Sequence, residues 1–332
     1  MPPNVVYAPI YLESPNERFV NLLNPRIAAH DFSRIFTTLR AYRPEAVIGM
    51  YVIHAYPLIL LKRILGFSLF SLVSGSDLAL HKGIVWSLVR RAVFRNCLTV
   101  FTVAAKFNAQ IEKESGRQGI VVSTGTNPDY YTPLPNKADL RMKYNLGVDD
   151  FVVLSLGSLV QVKCVDDVIR AVKIIHSEYS NTKLIIAGDG PQRSELVRLC
   201  SELNVDCTFM GYVGEAVKRE LFNIADVYVL ASYSEGMPFS VMEAMSCGCV
   251  CVCTDVGDLS ELIKDSVNGF LIAPRDPNLI ALKIREIMSL SEPESRTMRN
   301  MARQTVLEKY DFRKLTKEMV MVMEEKISSR NR

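Results

Sequence analysis

Glu235 and Glu243 stand eight residues apart in "SEGMPFSVMEA", and Gly236-Met237-Pro238 follows the first of them. Glu235 comes after a β-branched apolar run. The Gly-Met-Pro therefore reads as a turn, with Pro238 or Phe239 opening a helix. Exposed backbone N–H groups and the positive end of that helix then lie beside the turn, which makes a ready anion site. Glu243 falls on the early turns of the same helix. Two carboxylates around such an N-terminus suit a nucleotide sugar: the amides take the diphosphate and a carboxylate grips ribose hydroxyls. The bland alternative is that Glu235 is simply an acid favoured by a helix start and Glu243 a solvated one.

Just downstream, Cys247, Cys249, Cys251 and Cys253 alternate strictly, half of the eight cysteines in the chain. If the stretch is extended, a rise of roughly 3.3 Å per residue sets the outer sulfurs about 20 Å apart. Two thiolates on one zinc lie no more than about 4.6 Å apart. Four cysteines along a straight strand cannot share an ion, so "CVCVCT" reads as a buried strand using cysteine as a small hydrophobe. No metal is expected.

These residues need a frame, and the second half of the chain supplies one. "FVVLSLGSL", "KLIIAGDG", "VDCTFMG", "DVYVLAS" and "CVCVCTD" read as strands. The segments between them, "DDVIRAVKIIHSEY", "QRSELVRLCSEL", "AVKRELFNIA" and "FSVMEAMSCG", have helical spacing. Apolar strands alternating with helices of this length predict βαβ units and a parallel sheet covered on both faces. Gly188, Gly190 and Gly211 fall at the carboxyl ends of strands, where open α/β sheets bind ligands.

The first half is less regular. "HDFSRIFTTLRAYRP" predicts a helix stopped before Pro44. "EAVIGMYVI", "FSLFSLVSGSD" and "CLTVFTV" predict strands, and "IVWSLVRRAVFRN" a basic amphipathic helix. His54 follows the strand "AVIGMYVI", as a cleft residue or a satisfied structural histidine. His30, His81 and His176 carry no partner signature. The Pro- and Asn-rich stretch "IVVSTGTNPDYYTPLPNKADLR" reads as a loop, so a domain boundary is expected near residues 134–150. The expected division is 1–140, 141–310 and a terminal helix over 311–332.

A chain of 332 residues exceeds what one core usually holds, in line with two domains. Hydrophobic residues make up 48% and charged residues 23%, ordinary for a soluble protein. Cysteines without a leader peptide point to a reducing compartment, hence a cytoplasmic location. The apolar stretch "YPLILLKRILGFSLFSLV" is broken by Lys62 and Arg63, which weakens a spanning helix. The net charge of +3 is uneven: residues 1–140 hold 15 Lys and Arg against 9 Asp and Glu. That surplus suits an anionic membrane surface or a phosphorylated substrate, or is an unremarkable surface. No nucleic-acid partner is expected.

The pattern Glu-Gly-x-Pro-x4-Glu-Ala, then "CG", "TDVG", Glu261 in "GDLSELI" and Gly269 in "NGFLIAP", resembles the group 1 retaining glycosyltransferases (family four, GT-B fold). "LGSLVQVK" resembles their first donor-domain strand and phosphate loop. "LIIAGDGPQRSEL" resembles the G-x-G-P stretch, "FMGYV" the base-binding turn and "VVSTGTNPDYYTP" the interdomain segment. The resemblance covers nearly all of the C-terminal half and only part of residues 1–140.

It implies two Rossmann-like domains facing a central cleft, an acceptor-side domain followed by a donor-binding one. Glu235 would touch the donor sugar and Glu243 the ribose. Gly236, Met237 and Pro238, with Phe239, would line the sugar-phosphate, the amides coming from all but the proline, and Lys163 would neutralise the diphosphate. Gly188 and Gly190 would line the donor, and Tyr212 and Val213 the base. Ser74, Asp77 and His54 would lie on the acceptor side. No cofactor is implied, because the nucleotide-diphosphate sugar is itself a substrate. The acceptor would be a glycan or lipid-linked hydroxyl, reached at the inner face of a membrane. Retention by front-face attack, without metal, is the implied mechanism, with domain closure excluding water.

The departures are specific. Ser158 stands where the family usually has Arg, Cys164 where it has Gly, and Ser74 where a His is common. "PPNVVYAPIYLESPN" resembles a later strand than the family's opening one, so the first domain is expected to be shortened. Two alternatives follow: a catalytically impaired or truncated sugar-nucleotide-binding subunit, and a GT-B epimerase or phosphorylase.

Overall fold

Ten strands form two parallel sheets in this computed structural model, which describes residues 25–73, 83–103 and 105–330. Four strands come first: β1 (Ala46–Met50), β2 (Ser68–Val73), β3 (Thr99–Thr102) and β4 (Ile120–Val121), in that spatial order. Helices Leu58–Leu65, Ile84–Asn96 and Asn108–Ser115 connect them. Leu61, Val93, Phe94 and Ile111 pack with Leu69, Val73 and Val100 into one apolar cluster. Phe70 and Phe101 stack at 6.0 Å and are covered by Met323 of the last helix, Phe312–Arg330.

The expected strand "EAVIGMYVI" ends early. Tyr51 turns the chain at φ 68°, and Val52–Ala55 is a helical turn. His54 therefore lies on that turn, edge-on to the Tyr51 ring at 5.7 Å. The basic helix Ile84–Asn96 forms over the expected residues, but its charge is not all on the surface. Arg90 is 5% exposed and holds both carboxylate oxygens of Glu114 from Nε, at 2.8 and 3.1 Å. Burying a guanidinium demands such a partner, so Arg90 is a structural ion and not part of a basic face. Ile84, Val85, Leu88, Arg91 and Arg95 are exposed. No helix among the described residues is long and apolar enough to cross a membrane.

The second sheet has six strands: β5 (Phe151–Leu156), β6 (Thr182–Ala187), β7 (Cys207–Gly211), β8 (Val227–Leu230), β9 (Val250–Thr254) and β10 (Phe270–Ile272). Their spatial order is β10-β9-β8-β5-β6-β7, all parallel. Strands buried on both faces read as continuous apolar runs, and β9 is the clearest: Cys251 and Cys253 enter one core cluster, Val250 and Val252 the other. The strand starts only at Val250. Cys247 caps the preceding helix and Cys249 follows Gly248 in the turn, so the extended spacing applies to Cys251 and Cys253 alone. All four thiols are buried. Cys200 and Cys207 are joined in a disulfide, against the expectation of a fully reduced chain.

The chain divides into two compact units at Ser123/Thr124 and Leu315/Thr316, earlier than residue 140. The reason is that the loop-like stretch from Thr124 on, with the short helix Lys137–Lys143 at its end, belongs to the second unit. The Leu134 amide donates to Asn223 Oδ1 at 2.7 Å, Ser246 Oγ donates to the Tyr131 carbonyl at 2.6 Å, and Arg303 donates to the carbonyls of Tyr131 and Pro128. Arg141 pairs with Asp226 and the Ile224 carbonyl. A Pro-rich composition marks irregular backbone; it does not say which core satisfies that backbone.

Candidate active site

Chain connection reverses between β5 and β8, which are neighbours in the sheet yet far apart in sequence. Open α/β sheets leave a crevice outside the carboxyl ends of such a pair. The loop after β5 runs through Ser158, which is exposed, to the 3-10 turn Gln161–Lys163. Cys164 follows at φ 48° and starts the helix Val165–His176. The loop after β8 carries Glu235. The Tyr233 amide donates to the Val162 carbonyl at 3.0 Å and ties the two loops together.

Lys163 and Glu235 thus meet across 72 residues of sequence: Nζ lies 2.5 Å from Oε1. The Ser232 hydroxyl donates to the same oxygen at 2.6 Å. The two side chains are 25% and 11% exposed, so the pair is partly withdrawn from water yet open on one side. Behind Glu235 sits Gly257, at φ 64°. A Cβ there would lie 2.4 Å from the Glu235 carbonyl oxygen, so only glycine lets the "TDVG" turn back the loop this closely.

Gly236 and Met237 complete the turn. Pro238 is the N-cap of the helix Phe239–Ser246, and no side chain caps it. The first amides of that helix are donors without a side-chain acceptor, beside the Lys163–Glu235 pair. Phe239 is half exposed.

The loops after β5, β6 and β7 are stitched by their backbones. The Gly157 amide donates to the Ala187 carbonyl at 2.9 Å, Gly188 to Gly211 at 2.7 Å and Leu159 to Asp189 at 2.9 Å. Gly188 adopts φ 139°, and a Cβ on it would collide with the Gly157 carbonyl oxygen at 1.8 Å. Gly190 follows in the same loop, its amide donating to the Asp189 side chain. Tyr212 is 86% exposed, while Val213 packs against the core.

Glu243 departs from the solvated alternative: it is 8% exposed. Lys218, on the helix Glu215–Ile224, lies 3.1 Å from one carboxylate oxygen and 3.0 Å from the other. The same ammonium reaches Glu215 at 2.9 Å. The Tyr131 hydroxyl donates to Glu215, and its ring lies 5.3 Å beneath the Lys218 ammonium. Burial pushes the Glu243 carboxyl above the usual range, and Lys218 opposes it. Lys218, Glu215 and Tyr131 were missed by sequence reasoning. "GEAVKREL" shows an ordinary i,i+3 charge pair, and no local spacing connects it to a carboxylate 25 residues later.

Ser74 and Asp77 lie outside the described residues. His54 is in the first unit and the donor-side candidates in the second.

A family model described as "Glycosyl transferases group 1" matches residues 136–305, just over half of the chain. Among curated relatives, an uncharacterized glycosyltransferase of Methanocaldococcus jannaschii is 34% identical over 61% of this chain and 53% of its own length. An N-acetyl-alpha-D-glucosaminyl L-malate synthase of Bacillus anthracis is 27% identical over 53% of this chain and 46% of its own. The chain thus spans about half the length of these relatives. Among solved structures, Anabaena HepE in complex with UDP-glucose aligns with a TM-score of 0.76 at 18% identity, covering 89% of this chain and 82% of that one. A sucrose-phosphate synthase from Thermosynechococcus elongatus gives 0.76 at 19% identity, over 94% and 80%. At such identities the likeness is one of fold.

Proposed function

Because the chain belongs to the group 1 glycosyl transferases, we propose that it moves a sugar from a nucleotide-diphosphate donor to a hydroxyl of a glycan or lipid-linked acceptor, with retention at the anomeric carbon. The observation that carries this reading is the Lys163–Glu235 pair beside the uncapped start of helix Phe239–Ser246. The diphosphate lies against Lys163 and the amides of Met237 and Phe239, Pro238 between them having no N–H to give. The bond between the anomeric carbon and the phosphate oxygen breaks, and a bond from that carbon to the acceptor oxygen forms on the same face. The departing phosphate takes the acceptor proton. Lys163 and the helix start stabilise the charge that develops on that phosphate. Glu235 orients the sugar and Glu243 the ribose.

The donor identity is tested by incubating the protein with UDP-, GDP-, ADP- and CDP-sugars and following nucleoside diphosphate release, with the anomer of any product read by NMR. Turnover of one donor with a retained anomer supports the reading. No release from any donor, or an inverted product, rejects it. A second reading, a weakly catalytic sugar-nucleotide-binding subunit, is favoured by Ser158, which places no cation on the phosphate loop; donor binding without turnover identifies it.

Peripheral contact with an anionic membrane completes the proposal. It rests on exposed Ile84, Val85 and Leu88 beside Arg91 and Arg95, a face that combines insertion with charge attraction.

A further inference from the structure

Glu243 is a carboxylate that the fold has nearly removed from water, and such a group is held ionised only by a partner. Lys218 is that partner, spanning both carboxylate oxygens at 3.0 and 3.1 Å. It is itself 15% exposed and held in place from two other directions, by Glu215 at 2.9 Å and by the face of Tyr131. Tyr131 in turn donates its hydroxyl to Glu215, so helix Glu215–Ile224, helix Phe239–Ser246 and the segment before Lys137 all converge on one ammonium.

We propose that Lys218 is the positioning residue of the ribose site: it fixes the charge and the orientation of Glu243, so that Glu243 accepts hydrogen bonds from the two ribose hydroxyls. The inference rests on the reading of Glu243 as the ribose residue. Lys218 presents its three donors to Glu243 and Glu215. Glu215, 67% exposed, can lose its pairing to solvent at little cost, whereas Glu243 cannot. The groups facing Glu243 are Lys218 and Glu215 on one helix and Tyr131 on the connecting segment; of these only Lys218 is cationic.

The test compares binding of UDP, GDP, ADP and CDP with their 2′-deoxy counterparts by calorimetry, in the wild type, Lys218→Met, Lys218→Arg, Glu243→Gln and the Lys218→Met/Glu243→Gln double variant. Lys218→Met is expected to weaken the preferred ribonucleotide by roughly tenfold or more, the scale of a charge-assisted hydrogen bond, and the deoxynucleotide much less. Binding is lost on acidification at higher pH than in the wild type, because burial of Glu243 is then opposed by the Tyr131 hydroxyl alone. Lys218→Arg restores part of the ribose preference. The double variant binds no worse than Glu243→Gln alone, since Lys218 acts through Glu243; this variant also leaves no unpaired buried carboxylate, so it folds if the single one does not. Equal loss of ribo- and deoxynucleotide in Lys218→Met, unchanged binding, or additive loss in the double variant overturns the inference while leaving the ribose site standing. A wild type whose affinity is the same for ribo- and deoxynucleotides, or that binds none of the four, removes the ribose reading and the inference with it.

Discussion

Lys163 and Glu235 form an ion pair, and this sets what each substitution does. Lys163→Met leaves Glu235 held by Ser232 but, on the proposed mechanism, removes the cation from the leaving group. Turnover is expected to fall about a hundredfold, the scale of one lost donor to a developing oxyanion, with the Tm little changed. Glu235→Gln frees Lys163 from its counter-charge, so affinity for the free nucleoside diphosphate rises while transfer falls. Steady-state kinetics and calorimetry on the two variants check this; tighter diphosphate binding by Lys163→Met contradicts it. On the proposed mechanism Lys163 and the helix amides supply the positive charge, so transfer is expected to survive a chelator. Loss of activity in EDTA that magnesium restores rejects metal independence.

At the scale of elements, Gly257 and the helix Ile84–Asn96 make separable predictions. Gly257→Ala imposes a left-handed φ on alanine, a cost of about 1–2 kcal/mol, and drives the turn away from the Glu235 carbonyl. Donor turnover should fall further than the modest drop in Tm accounts for, measured on the same preparation. For the helix, flotation with vesicles rich in phosphatidylserine is expected at low salt and should weaken in Arg91→Glu/Arg95→Glu; no flotation of the wild type rejects the membrane face. Arg90→Glu is the wrong probe, because it places two carboxylates in the buried site of the Arg90–Glu114 pair and unfolds the unit.

The burial of Arg90 is beyond the reach of the sequence, whereas much of the second sheet is not. The strands β5, β6, β8 and β9 and the helices around them were legible because both faces of the sheet are covered there and the apolar runs are continuous. Glu235, Gly236 and Pro238 were legible because a turn and a helix start are local. Arg90 was not, since helical spacing puts it one step from Arg91 and only the packing of helix Asn108–Ser115 decides which of the two is buried. Lys218 was hidden for the same reason: its meaning comes from Glu243, on another helix. The Pro-rich segment after Ser123 named itself a loop but not its owner.

For the whole molecule, the first unit is built from two separate pieces of chain, residues up to Ser123 and residues from Thr316. Met323 of the second piece covers Phe70 and Phe101 of the first. Deleting the chain from Thr316 uncovers those rings, a loss of about 2 kcal/mol for each large side chain returned to water. The first unit should then melt at lower temperature, with Thr124–Leu315 unaffected. Differential scanning calorimetry should show one transition shifted and one retained; a single unchanged transition contradicts this.

The chain crosses between the units twice, at Ser123/Thr124 and at Leu315/Thr316. A protease that nicks the chain once, at Ser123, leaves the second unit whole and divides the first between the two fragments. The amino-terminal fragment leaves with two phenylalanines in need of a lid, and the lid stays on the other fragment. The halves are thus expected to hold each other after the peptide bond is gone, and to reassemble when expressed as two separate polypeptides. Met323→Asp is the substitution that should let them part.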